Sequence, residues 1–283
     1  MPLHVNNFIG KLYRKVCYNL IRFTQRIVMS PKELREMIAK GEFQRSTAGE
    51  CAGYIQANMV ALPRAYAESF EKFAAANNKA IPVLEVIKDG YRSLVMAPNA
   101  NILNEIPRYN ILRDGVVIEE VTDITPYYTP DLVFFLIGCS FSFENSLIQN
   151  GMPLRHVDEQ KNVAMYRTNI KLQEVDGFSG EMVVSMRPIK KEKVADACVV
   201  TSHFPRMHGS PIQVGYPEMI GINDVAYPDY GDSIAIKEDE IPLFWPCGVT
   251  PQNVIAKMKL PFAITHSPGH MFVTDKMDSE YYE

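Results

Sequence analysis

Nucleophilic and acid–base side chains are concentrated in two short segments of the chain. The first segment, residues 138–144, reads GCSFSFE and follows an apolar run. The second segment, residues 265–275, reads THSPGHMFVTD. Both place thiol, hydroxyl, imidazole or carboxyl groups beside glycine, which lets the backbone approach a ligand closely. Sites of proton transfer and nucleophilic attack are built from these groups, so we expect the chemistry of the chain there first.

The first segment is predicted to connect a buried strand, residues 132–138, to a short helix. A helix amino terminus carries unpaired N–H groups and a partial positive charge, which lower a thiol pKa and attract anions. Cys139 is therefore a candidate nucleophile or base, and Glu144 is a candidate catalytic residue that orients a partner. Ser140 and Ser142 are candidate substrate-binding residues. The alternative is that Cys139 is a small core residue and that the serines cap the helix.

In the second segment, His266 and His270 are the candidate catalytic acid and base. Pro268 and Gly269 lie between them and forbid a continuous helix, so this pair is not the HxxxH zinc motif of helical metalloproteases. A loop could aim both rings inward, although a lone histidine is more often structural. No third ligand lies at local spacing, so acid–base use is favoured and no metal site is predicted.

Other candidate substrate-binding residues lie beside further predicted strands. Cys247 and Thr250 lie where a strand is followed by a helix, and in open α/β sheets ligands bind beyond the carboxyl ends of strands. The alternative there is a capped turn. Arg155, Arg167 and Arg187 are candidate clamps for a substrate carboxylate, because guanidinium groups pair well with carboxylates. The alternative for each arginine is ion pairing at the surface.

The elements that would position these residues alternate between helix and strand. Predicted helices cover residues 30–40, 52–76 with an interruption at Pro63, 142–149 and 190–202, and a last one begins at Thr250. Predicted strands cover residues 81–87, 109–112, 116–121, 132–138, 182–186, 241–245 and 262–265, with a hairpin turn at Asp114-Gly115. This alternation predicts an α/β fold. The turn-rich middle of the chain predicts a smaller inserted α+β unit.

Composition excludes several classes of function. The 283 residues are 47% hydrophobic and 22% charged, which is typical of a packed globular protein. A net charge of -4 does not favour nucleic-acid binding, and no apolar run is long enough to span a bilayer. The five cysteines are widely spaced without CxxC, which predicts a reduced, cytoplasmic protein. No Walker or Rossmann motif is present, so no cofactor is indicated.

Residues 1–28 form a basic extension, with five lysines and arginines and no acidic residue. On a helical wheel its apolar and basic residues occupy neighbouring faces, which is typical of a membrane-surface or targeting helix. The alternative, which we favour, is an extension that precedes a domain starting at Met29. Membrane association is therefore expected only through this segment, if at all.

Ten ordered motifs resemble a known family. They are STAG (46–49), GYIQAN (53–58), IPRY (106–109), GCSFSFE (138–144), RHV (155–157), NVAMYRTNI (162–170), VVSMRP (183–188), FPRMHGSP (204–211), FWPCGVTPQ (244–252) and THSPGHMFVTD (265–275). In this order they resemble the hydro-lyase family that is also called D-glutamate cyclase-like. The resemblance covers about residues 29–275. It implies a three-layer α/β/α main domain, residues 29–145 and 222–283, with a two-layer α+β domain at 146–221.

The same resemblance implies a lyase of D-glutamate metabolism that dehydrates D-glutamate to 5-oxo-D-proline, or acts on another small amino or hydroxy acid. The partner would be a small carboxylic acid, and a homo-oligomer stays open. The chain departs from the family pattern where relatives tend to carry charged or titratable groups. These positions are Asn101, Leu103, Thr129, Pro130, Gln213 and Tyr216. The departures motivate an alternative, a binding protein of the same fold with altered or lost activity.

Overall fold

Two antiparallel sheets form the framework of the protein. The structure is a computed structural model and describes residues 29–283; the basic extension predicted for residues 1–28 lies outside the described residues. The helices are α1 (Pro31–Ala39), α2 (Arg64–Ala76), α3 (Glu144–Gln149), α4 (Arg155–Asp158), α5 (Val194–Ser202) and α6 (Thr250–Met258). The strands are β1 (Tyr54–Pro63), β2 (Val83–Ile87), β3 (Tyr109–Arg113), β4 (Val116–Val121), β5 (Leu132–Gly138), β6 (Ala164–Lys171), β7 (Glu181–Lys190), β8 (Gln213–Val214), β9 (Glu240–Pro246), β10 (Ala263–His266) and β11 (Phe272–Met277).

The larger sheet has the strand order β2-β5-β1-β10-β3-β4, and β11 also pairs with β1. Both β1 and β5 are central strands, and the interior of each is buried on both faces. Their apolar side chains form cores on the two sides of the sheet, because alternate residues of a strand point to opposite faces. The site segment 138–144 therefore begins at the end of a rigid, central strand.

The larger sheet contains a break where β1 changes its pairing partner. Val60 pairs with Thr265 of β10, but Ala57 pairs with Phe272 of β11. The intervening residues 267–271 leave the sheet as a loop. Asn58 and Met59 lie at this change of partner, where the regular backbone ladder on that side of β1 is interrupted.

The second sheet has the order β6-β7-β9-β8, with all pairings antiparallel. One face of β7 carries Val184 and Met186, which pack in a separate cluster with Phe244 of β9. The opposite face carries Ser185 and Arg187, both fully buried. Because Leu243, Trp245 and Ile189 belong to the same core as residues of β1 and β5, this opposite face packs on the larger sheet. Ser185 and Arg187 therefore lie between the two sheets.

The helix predicted over residues 52–76 is wrong in its first half, which forms β1, and correct in its second half, which forms α2. A strand buried on both faces has no alternation of apolar and polar residues, so its sequence cannot be told from a buried helix. Residues 272–277, for which no strand was predicted, form β11. The hairpin at Asp114-Gly115, the capping box of α1 and the strand that ends at Gly138 are confirmed.

Mixed helices and sheets confirm the predicted α/β fold. The division into residues 29–145 with 222–283 and residues 146–221 stays a prediction. Strand β9, placed by that division in the main unit, pairs with β7 and belongs to the second sheet. Among the described residues, no helix combines the length and apolar character needed to cross a membrane.

Candidate active site

A buried ion pair lies between the two sheets. Arg187 donates to Glu144 Oε1 from Nε at 3.0 Å and from Nη2 at 2.5 Å. His156 Nε2 donates to the same oxygen at 2.9 Å. The guanidinium also donates to Ser185 Oγ and Ser140 Oγ, each at 3.1 Å. The predicted residues Ser140, Glu144 and Arg187 are thus joined in one network, which fixes the start of α3 against β7.

The charge of this network is set by its surroundings. Burial alone would raise the pKa of the Glu144 carboxyl, but the neighbouring His156 and Arg187 outweigh it and hold that pKa below its ordinary value. Glu144 is therefore a carboxylate at neutral pH. The rings of Phe143 and Trp245 lie 5.3 and 5.5 Å from the guanidinium carbon of Arg187, so aromatic faces cover the cation.

Beside the network, the two strand-to-helix turns meet in one cluster of buried side chains, the cysteine cluster. Cys139, Phe141 and Cys247 are all buried in it, with 5%, 7% and 7% exposure. The other members of this cluster are Ala48, Val163, Met165, Val183, Val249 and Met271, with Tyr230 packed against them. The cysteine cluster thus collects the STAG turn, both cysteine turns and Met271 of the 265–275 segment.

The surroundings of Cys139 disfavour a thiolate. Burial raises the pKa of its thiol far above the ordinary value, and the nearby Cys247 and Glu144 act in the same direction. Burial likewise raises the pKa of Cys247 to about 11. The turn after Cys139 is a short 3-10 helix whose Phe141 N–H donates to the sulfur at 3.5 Å, which is too little to offset desolvation. These surroundings favour the alternative interpretation, in which both residues are buried thiols of the cysteine cluster.

His266 closes the break in the larger sheet. The Met59 N–H donates to its Nδ1 at 3.1 Å, so the ring replaces a missing ladder partner. Gln252 of α6 donates to the His266 carbonyl at 2.7 Å. The Nε2 of His266 is buried and has no partner among the described residues. Burial lowers the pKa of His266 to about 4, so the ring is neutral at physiological pH.

His270 lies nearer the surface, in the loop that bypasses the break. Its Nδ1 donates to the Pro268 carbonyl at 3.1 Å. Burial lowers its pKa, with Arg108 acting in the same direction and Glu120 opposing. Arg108 and Glu120 form an ion pair of 2.7 Å at the rim of an open cleft of about 380 Å³. A neutral, partly exposed imidazole is the protonation state that a general base requires.

The three candidate arginine clamps have different surroundings. Arg187 forms an ion pair with Glu144. Arg155, the first residue of α4, forms a two-pronged ion pair with Glu240, and both line a groove beside that helix. Arg167 donates to the hydroxyl of Tyr230 at 2.9 Å, and among residues 29–283 no carboxylate lies within ion-pair distance of its guanidinium. Arg167 is exposed, and its partner Tyr230 packs on the cysteine cluster.

Two predicted binding residues are occupied by the backbone instead. Ser142 Oγ accepts from Gln56 N–H at 3.0 Å and so ties the 3-10 turn to β1. Thr250 Oγ1 accepts from Val183 N–H at 3.1 Å and donates to the Cys247 carbonyl at 2.6 Å. Thr250 stabilises its own turn, as the alternative interpretation held, whereas Ser142 binds the backbone of β1 and does not cap the helix.

Three contributors were not predicted. His156 and Ser185 belong to the Glu144 network, and Asn58 donates to the Gly138 carbonyl at 2.8 Å. A Cβ on Gly248 would lie 1.8 Å from Asn58 Nδ2, so this glycine permits the Cys247 turn to pack on the break. The motifs RHV, VVSMRP and GYIQAN contained these residues, but only the fold shows their partners.

Four of the departures from the family pattern lie outside the cysteine cluster. Leu103 is buried in the large core, and Tyr216 is 68% exposed. Asn101 Oδ1 accepts from the Leu103 N–H, and Gln213 donates to the Gly215 carbonyl, so both serve their own turns. Within residues 29–283, no group of three or more His, Cys, Asp or Glu side chains is arranged to hold a metal ion.

Comparison with known proteins identifies many relatives. The family model described as D-glutamate cyclase matches residues 133–275. A "Putative hydro-lyase" of Natranaerobius thermophilus is 50% identical over 252 residues, which cover 89% of this chain and 97% of the relative. "Putative hydro-lyase YcsI" of Bacillus subtilis is 49% identical over 251 residues, which cover 88% and 98%. "Putative hydro-lyase Reut_A2449" of Cupriavidus pinatubonensis is 48% identical over 257 residues, which cover 90% and 95%.

A solved structure, the nitrogen repressor-like protein MJ0159 from Methanococcus jannaschii, is aligned with a TM-score of 0.36 and 11% identity. The alignment covers 86% of this chain and 97% of that one, and it is too distant to bear on fold or function.

Proposed function

The chain belongs to the D-glutamate cyclase family, and from this membership we propose that it is a hydro-lyase acting on a small amino or hydroxy acid, with D-glutamate as the substrate. In this reaction the amine attacks the γ-carboxyl carbon, a C–N bond forms, a C–O bond breaks, and 5-oxo-D-proline and water are released. The observation that carries the proposal is the meeting of both cysteine turns in one cluster beside the Glu144 network.

Acid–base chemistry is assigned to the histidines of the second segment. The substrate nitrogen loses two protons and the departing oxygen gains two, so one group can serve as base and then as acid. His270 fits this role because its lowered pKa leaves it neutral and its side chain is only partly buried. The Nε2 of His266 has no partner among the described residues, and in the tautomer whose Nδ1 accepts from the Met59 N–H it would donate to a developing negative charge on oxygen.

Substrate binding is assigned to groups in and around the cysteine cluster. Arg167 would receive the α-carboxylate, and Ser140 would donate a hydrogen bond, since its hydroxyl already orients toward the network. Cys139 and Cys247 would form an apolar wall that excludes water. Exclusion of water favours cyclisation, because the same water would reverse the reaction.

The test is an assay of the purified full chain with D-glutamate, in which 5-oxo-D-proline is followed by NMR. We expect turnover by the unaltered protein and a loss of about 100-fold or more in His270→Gln, the usual scale of a lost acid–base group. His203→Gln is the matched control, because His203 stacks on Tyr282 at the surface. Equal turnover by His270→Gln and the unaltered protein would remove His270 from the mechanism. Absence of turnover by the folded, unaltered protein would favour the alternative of a carboxylic-acid binding protein.

A further inference from the structure

The two oxygens of the Glu144 carboxylate have very different surroundings. Oε1 accepts three hydrogen bonds, two from Arg187 and one from His156. Oε2 is buried and has no partner among the described residues, although Glu144 is only 4% exposed. A carboxylate can accept at both oxygens, so this arrangement leaves half of its capacity unused.

An unpartnered carboxylate oxygen in a protein interior is costly, because the charge loses its hydration without compensation. Arg187 could have bridged both oxygens in the usual two-pronged geometry, but its other N–H groups are directed to Ser185 and Ser140. The donors therefore fix the carboxylate through one oxygen and leave the other available. Such an arrangement fits a donor that is present only when ligand is bound.

The position of Glu144 points to the same ligand. Ser140, which follows Cys139 in the chain, accepts from Arg187, so the carboxylate lies close to the cysteine cluster. Phe141, a member of that cluster, stacks on His156 at 6.4 Å between ring centroids. The network and the cluster are therefore adjacent. A donor that matches a carboxylate oxygen at this place would be a hydrogen-bonding cation.

We propose that Glu144 Oε2 binds the ammonium group of the substrate, and that Arg187 and His156 are positioning residues which hold the carboxylate for it. This inference rests on the proposed function and narrows it to amino acids, because a hydroxy acid offers a neutral hydroxyl in place of the cation. A charge-assisted hydrogen bond is roughly twice as strong as a neutral one, so the ammonium form is selected.

The experiment measures binding rather than turnover. Ligand-observed NMR on the full chain gives dissociation constants for D-glutamate and for D-2-hydroxyglutarate, which replaces the ammonium with a hydroxyl. We expect the unaltered protein to bind D-glutamate about tenfold or more tightly than the hydroxy acid. In Glu144→Gln, which retains an acceptor for Arg187 but places an NH₂ group at the free position, this ratio should fall to about one.

Glu240→Gln is the matched control, because Glu240 is also buried against an arginine but lies in the groove beside α4. The ratio should not change in this variant. Equal binding of both ligands by the unaltered protein, or of neither, overturns the inference, and this comparison does not depend on the folding of any variant. A ratio retained in Glu144→Gln overturns it as well. Selective binding of D-glutamate without formation of 5-oxo-D-proline would refute the proposed function and leave the inference standing.

Discussion

Replacement of Arg187 by methionine tests whether the buried network has the energetics that its geometry implies. Methionine retains the apolar stem that packs on Phe143 and Trp245 but removes the charge. Glu144 would then remain buried with His156 as its single partner. Removal of one member of a buried ion pair typically costs about 3–5 kcal/mol, because the other charge stays desolvated. For 283 residues, with an unfolding entropy of about 2.1 cal/mol/K per residue, that corresponds to a fall in Tm of roughly 5–8 °C.

The same variant makes a prediction about pH. In the unaltered protein the pKa of Glu144 is held below its ordinary value. The stabilisation by the ion pair is therefore complete at pH values above the Glu144 pKa of the unfolded chain. It is lost as the pH falls through the lower Glu144 pKa of the folded protein. In Arg187→Met the guanidinium no longer opposes burial, and the pKa of Glu144 rises. Protonation then relieves the buried charge as the pH is lowered. The stability difference between the two proteins should therefore narrow between pH 7 and pH 5.

The chain contains its own probe for this experiment. Trp245 is the single tryptophan, is fully buried and lies beside Arg187, so its fluorescence follows urea unfolding at the network. Arg155→Met is the control, since that arginine is 14% exposed and partly solvated, and its loss should cost less. A cost below about 1 kcal/mol for Arg187→Met, or a difference that does not depend on pH, would refute this account of the ion pair.

Three further predictions concern the turns and the sheet break. Gly248→Ala should lower the free energy of urea unfolding by more than about 2 kcal/mol, because the added Cβ would overlap Asn58. In the control Gly90→Ala the added Cβ would have no atom within 4 Å, so the cost should be about 1 kcal/mol from backbone strain alone. Iodoacetamide at pH 7.5 should alkylate the half-buried Cys198 before Cys139 or Cys247. If mass spectrometry showed that Cys139 is alkylated as fast as Cys198, this result would contradict the raised pKa of Cys139. His266 has a folded pKa of about 4, below its unfolded value, so the unfolded chain binds more protons below pH 6.5. The free energy of unfolding should therefore fall by up to ~1.4 kcal/mol for each pH unit below 6.5. Urea titrations from pH 6.5 to 5 should show that this free energy depends less on pH in His266→Gln, and an equal dependence would count against burial as the cause of the lowered pKa.

Local signals in the sequence predicted local structure well. The capping box at Ser30 and Glu33, the Asp114-Gly115 hairpin and the turn after Gly138 each depend on residues a few positions apart. Strand β1 was predicted as helix because a strand buried on both faces carries no periodic pattern. Its neighbours in space are about 75 and 200 residues away in the chain, and no local pattern encodes that pairing.

The candidate site was predicted in the same uneven way. The two segments were found because they concentrate reactive residue types, and Glu144 and Arg187 were named from these motifs and are joined in the fold. His156 was not named, because an isolated histidine gives no sign of a carboxylate on another helix. The two interpretations of Cys139 stayed open for a similar reason, since a motif shows that a turn follows the thiol but not how deeply the thiol is buried.

The central position of β1 also has a consequence for synthesis on the ribosome. Its partners β10 and β11 are translated some 200 residues after it, so the larger sheet cannot be completed until they emerge. Until then an apolar strand has one unprotected edge, which is the kind of surface that chaperones bind and that aggregation exploits. Nascent chains arrested before Phe262 should accordingly be digested readily by protease within residues 54–63, whereas those arrested after β11 has left the exit tunnel should resist.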